Sequence, residues 1–305
     1  MTTYRSPLLT PPREEEEVYG YRPVWRSLII EATLLLIMSV ALIIAGRGLS
    51  QNLPSTPLLI VTLVIGTAPV LLWLAFSWRA ENTVREPRAG LLAVAVVTAL
   101  VARSIGEPLI TQFLRVEEWL PLSSAVERII GYTVTVGVVQ STLIYLTIRF
   151  TLPRRMFRIR DDGLAYGIAA AVGYVTVSNL QTLASAGTPQ LDSFVLRAFG
   201  DYALHIAMGL LIGYGVTITY IGRPIILNMT FYVVLSSILA GITIPIRAGL
   251  VNPVFSLDFN RSLVSAPRPL LGLGFSVLIL IVPCLILYFL IRNAERRETE
   301  AQVEI

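Results

Sequence analysis

Apolar residues along this chain collect in eight long runs, at 27–46, 57–78, 89–106, 129–150, 163–184, 200–221, 225–246 and 272–292. A helix crossing the hydrocarbon core of a bilayer takes about 20 apolar residues, and each run meets or approaches that length. The pattern predicts an all-α fold: a polytopic integral membrane bundle of about eight transmembrane helices. The third run is the least secure, because Arg103 and Glu107 stand at its end. Between it and the fourth lies EPLITQFLRVEEWLPLSSAVER, a mixed segment with Trp119 and scattered leucines. That segment predicts a helix lying in the interface, with a short re-entrant piece as the alternative.

The polar pattern divides the rest. Residues 1–26 form an acidic, proline-rich tail without apolar period, which predicts a solvated cytoplasmic segment. Residues 27–292 form the membrane domain, with 247–271 its largest outer loop, apolar enough to fold back on the bundle; 293–305 are a C-terminal cytoplasmic tail. Sixteen of the twenty-four arginines fall on one side if the N-terminus is cytoplasmic, and TLPRRMFRIRDD is the strongest single signal. The positive-inside rule then puts both termini in the cytoplasm, as in a prokaryotic-type plasma membrane protein.

Composition supports this and removes several functions. The chain is 54% hydrophobic and 14% charged, where a soluble domain has nearer a quarter charged, so the bilayer is the partner of much of its surface. The basic residues are all arginine, and a formal charge of +4 needs no nucleic acid to account for it. Cys284 is the one cysteine and lies in an apolar run, so no disulfide forms within the chain. His205 is the one histidine, which excludes zinc sites built from several His or Cys ligands.

Polar residues inside apolar runs are costly and each asks for a reason. Glu31, one turn into the first run, predicts a pair with Arg26 or a loop arginine. Gln140 lies in the middle of the fourth run, Ser178 and Asn179 towards the outer end of the fifth, and His205 in the sixth with Asp201 one turn before it. A rise of 1.5 Å per residue puts Gln140 roughly 16 Å from the outer boundary, and Ser178 and His205 about 8–10 Å from it. Three consecutive helices thus bring polar groups to the outer half of the bilayer. Gly163, Gly167 and Ala171 recur every four residues, as do Ala169 and Gly173, a spacing that lets helix backbones pack closely.

These residues resemble the PrsW-type intramembrane protease family, within the CAAX-protease-like superfamily of membrane metalloproteases. The segment Asp162 to Asn179 is similar to the family stretch D-G-x-x-x-G-x-x-x-G-x-G-F-x-x-x-E-N. Arg197, His205 and Gly213-Tyr214-Gly215 resemble its R…H…G-Y-G segment, and VGVVQSTLIYLTIRF its E-E-x-x-K helix. The likeness covers roughly 129–221. It implies peptide-bond hydrolysis by a metal-activated water, with zinc as the cofactor if that activity is kept. The departures fall on the chemistry: Val139 and Gln140 stand for the paired glutamates, Leu143 for the lysine, Tyr174 for the phenylalanine, Ser178 for the motif glutamate and Gly209 for an aspartate. Gln140, Ser178, Asn179, Asp201 and His205 then mark a vestigial site without catalytic groups, metal ligands or cofactor.

The leading expectation is a degenerate PrsW-like protein that binds other membrane proteins or a transmembrane client, or serves as a structural subunit of an assembly. The alternatives are an active intramembrane metalloprotease and a small-solute transporter. A Ser178–His205 pair oriented by Asp201 is a further catalytic arrangement.

Overall fold

The computed structural model describes residues 24–52, 55–83, 87–186, 191–221, 226–251 and 269–303. The acidic tail up to residue 23 and most of the expected outer loop lie outside them. Among the described residues there are helices and no strand, and eight helical segments are long and apolar enough to cross a membrane. We label them α1 (Val24–Asn52), α2 (Ser55–Trp73, continuing to Asn82), α3 (Leu91–Val101, continuing to Phe113), α4 (Ala125–Tyr132, continuing to Thr151), α5 (Arg160–Ala186), α6 (Leu191–Ile221), α7 (Ile226–Val251) and α8 (Pro269–Val303). The last of these runs through most of the expected C-terminal tail.

The bundle is built around one helical hairpin. In α5 and α6, 83% and 78% of the apolar stretch is buried, against 28–39% in the other six. Their mutual interface is the largest in the molecule; α2 and α3 cover α5, and α1, α7 and α8 cover α6. Small residues permit this. Gly163 lies against the Gly213 carbonyl and Gly167 against the Gly209 carbonyl, each contact reciprocated from α6, so a Cβ at any of the four would occupy the partner backbone. Ala171 meets Gly209 one turn further on, and Gly173 lies against the Ala95 carbonyl of α3. The small-residue row thus seats α5 between two neighbours by backbone contact, the mode expected where lipid removes any hydrophobic drive between helices.

Asp162 anchors the entry to α5. Its carboxylate accepts from the backbone N–H groups of Arg158 and Ile159, at 2.8 and 2.9 Å, and from Arg88 Nε at 2.6 Å. Arg88 also pairs with Glu81 at 2.9 Å, tying the end of α2 to the start of α5. Asp162→Ala takes the acceptor from two backbone donors and from Arg88 Nε, which keeps Glu81, and should cost about 2–3 kcal/mol, the upper range for buried donors left unsatisfied. A lowered thermal midpoint of purified protein, with Arg26→Gln as an unaffected control, checks this.

Two expectations are corrected. Among the described residues Glu31 pairs with no arginine: Ser77 of α2 donates to its Oε1 at 2.5 Å, and the residue is buried. The stretch 107–128 holds no long interfacial helix. α3 continues to Phe113, and a single turn, Val116–Trp119, and a 3₁₀ turn, Leu120–Leu122, precede α4. Val116 and Leu120 bury themselves against Ile110 and Val136, which pulls the connection onto the bundle. Ser124 then starts α4 with a capping box closed by Glu127.

Candidate functional site

A cleft of about 460 Å³ opens between α3, α4, α5, α6 and α7, at the bundle end away from the arginine-rich loop. Gln140, Ser178, Asp201 and His205 all line it. Asn179 does not: it is buried and its Nδ2 points to the Gly66 carbonyl of α2 at 3.5 Å, away from the cleft.

His205 is the best-defined wall. Its Nδ1 is 2.7 Å from the Asp201 carbonyl, and a carbonyl can only accept, so the proton is assigned to Nδ1. Nε2 is left as an acceptor, buried and without a partner. The Tyr174 ring stacks on the imidazole at a centroid distance of 5.0 Å and 22° between planes. The tyrosine hydroxyl reaches over Gly106, where any side chain would collide with it. It approaches Gln140 without a well-formed hydrogen bond, so the phenolic oxygen and Gln140 Oε1 both stay unpartnered.

Asp201 has other business than orienting the ring. Arg247 Nη2 of α7 donates to its Oδ1 at 2.5 Å, and Arg197 Nε lies 3.6 Å from Oδ2. Gly200 leaves the space that the Arg247 guanidinium fills. Ser178 does not engage His205, whose Nε2 has no partner; it faces the carboxylate of Glu107 instead. The serine–histidine–aspartate relay is therefore not assembled.

Among the charged residues of the cleft, Glu107, Arg247 and, at the exposed rim, Glu117 were not anticipated from the sequence as members of it. Glu107 of α3 is 8% exposed and stands beside Ser178, so the cleft holds a carboxylate contributed by a helix outside the central three. Arg247 lies at the end of α7, where its charge reads as an outer-loop arginine. The available signal was Glu107 directly after a glycine at the end of an apolar run, and an arginine facing an aspartate at matching depth.

The donor set can be tested against a divalent metal. It offers one free imidazole nitrogen, the Glu107 carboxylate and, at the exposed rim, the Glu117 carboxylate; Asp201 is neutralised by two guanidiniums, whose charge opposes a cation nearby. Among the described residues no three His, Cys, Asp or Glu side chains group closely enough to hold one. Hydrolytic zinc sites present three protein ligands and an open position, so the residues present do not fit that ion.

A bundle of eight apolar helices with a polar cleft at one end defines a multi-pass membrane protein. Residues 86–281, well over half of the chain, match the family model of the PrsW family intramembrane metalloproteases. The chain belongs to the PrsW family. Neither a curated protein nor a solved structure matches it.

Proposed function

We propose that this PrsW-family chain is catalytically degenerate and acts by binding, holding a transmembrane segment of a client or a neighbouring subunit of a plasma-membrane assembly at the cleft, without a metal cofactor. The observation that carries this reading is the commitment of Asp201 to Arg247 and Arg197 beside a lone free imidazole nitrogen. Position 209 adds to it. The aspartate that the family resemblance implies there is a glycine packed on the Gly167 carbonyl, leaving a side chain no room while α5 keeps its seat.

The cleft is suited to a peptide. His205 Nε2 and Gln140 Oε1 are unpartnered acceptors, and Arg247 Nη1 is an unpartnered donor. Unmet groups in a low-dielectric setting favour a ligand that supplies both N–H and C=O, as an unwound stretch of backbone does.

Metal content and proteolysis test the reading together. Purified protein should carry zinc well below one equivalent, with no change in His205→Ala. Membrane-proteome profiling should find no cleavage product that disappears in Gln140→Ala, Ser178→Ala or His205→Ala. One equivalent of zinc lost in His205→Ala, or a product lost in any variant, would overturn degeneracy in favour of an active intramembrane metalloprotease. Family membership is what keeps that second reading in view.

A further inference from the structure

A second cavity, about 820 Å³, lies at the opposite, arginine-rich end between α4, α6 and α7. Two guanidiniums converge at its rim on one residue. Arg149 Nη1 donates to Tyr220 Oη at 2.8 Å, while Arg154 Nε and Nη2 donate to the Tyr220 carbonyl at 3.0 and 2.7 Å. Both also lie over the Tyr220 ring, at 5.2 and 5.8 Å from its centroid. Neither has a carboxylate partner among the described residues.

Ordinary loop arginines do not explain this arrangement. A basic side chain near a helix end often satisfies a last-turn carbonyl, which accounts for Arg154 on Tyr220. It does not account for Arg149 brought to the same residue, which sets a second positive charge at one rim. An anion at that rim is attracted by both charges and can use the remaining N–H donors in the forked geometry that suits a phosphate.

The shape of the cavity selects which anion. Tyr145, Met229 and Val233 give it apolar walls, and Thr142 lies two helical turns before Arg149, about 10 Å deeper. Phe150 of α4 and Phe231 of α7, 81% and 59% exposed, leave an uncovered apolar surface at this end of both helices, suited to lipid. A soluble phosphate has no use for an apolar trough of that depth. A phospholipid does, with its head at the rim and its glycerol and upper acyl chain inside. The arginine distribution assigns this end to the cytoplasmic leaflet, where anionic lipids meet basic pockets between transmembrane helices.

We propose that the cavity between α4, α6 and α7 binds an anionic phospholipid of the cytoplasmic leaflet, with its phosphate held by Arg149 and Arg154. The site is separate from the cleft and stands whether or not the cleft is catalytic.

Native mass spectrometry of the full chain, released from nanodiscs of phosphatidylcholine with a minority of phosphatidylglycerol, tests it. The wild type should retain phosphatidylglycerol over phosphatidylcholine by about thirtyfold, the preference that two arginines give near an anionic surface. The double variant Arg149→Gln/Arg154→Gln should lose it. Arg155→Gln, an exposed arginine of the same loop outside the cavity, should keep it. Thr142→Phe fills the trough with both charges intact and should also lose retention, which decides the matter if the double variant does not fold. Equal retention in wild type and either cavity variant overturns the proposal. So does a thermal midpoint in detergent raised by inorganic phosphate as much as by phosphatidylglycerol, which would make this a site for a soluble anion.

Discussion

Gly167→Leu should leave little folded protein in detergent at temperatures where the wild type is intact. Gly167 and Gly209 each lie on the other's carbonyl, and the same holds for Gly163 and Gly213 one turn along. A side chain there meets backbone on the facing helix, which cannot rotate away as a side chain would. Overpacking a core costs 1–3 kcal/mol when neighbours can yield. With backbone on both sides we expect about 3 kcal/mol or more, since the whole α5–α6 crossing must open. Fluorescence-detected size exclusion after a heating series reads this directly. Gly274→Leu is the control, because nothing stands within 4 Å of a side chain at that position. An unchanged midpoint in Gly167→Leu would mean that α5 and α6 do not cross here.

The second large effect concerns the charge pair in the cleft. Asp201 and Arg247 side chains are each 12% exposed and bonded at 2.5 Å. Removing one partner leaves the other charge buried with too little compensation, which costs about 3–5 kcal/mol for pairs of this kind. Arg247→Ala is therefore expected to destabilise strongly. Arg197 is half exposed and keeps only a longer contact to Asp201, so it recovers little. Replacing both partners, Asp201→Asn with Arg247→Met, should restore most of the loss, because no buried charge is then unpaired. Thermal midpoints of the wild type, Asp201→Asn, Arg247→Met and their combination form a double-mutant cycle. A double variant as unstable as Arg247→Ala would show that Arg247 acts by packing on Gly200 rather than through its charge.

How far the sequence reveals this molecule depends on what each signal measures. Run length measures fit to the bilayer, so the eight spans were readable in it. It is blind to inner packing, which in α5 and α6 is carried by glycine rows readable only through their spacing. The clustering of Gln140, Ser178, Asp201 and His205 could be foreseen from depth, since helices of known rise place residues at known levels. The facing of a residue could not. Asn179 sits next to Ser178 in the chain yet points to α2, because neighbours on a helix diverge by about 100°. Glu107 and Arg247 were read as the ends of spans, where a charge is ordinarily hydrated. They become interior residues only when five helices close around them.

Glu107 also depends on how α3 is wound. The turn just before it, Ala102–Gly106, is π-helical, with one residue more per turn than the α-helix around it. Deleting a single residue there would return the segment to regular winding with Glu107 still facing the cleft, because about four α-helical residues turn through the same angle as five π-helical ones. The wide turn thus works as a register shim, lengthening the helix by one position while its acid stays turned to the chamber.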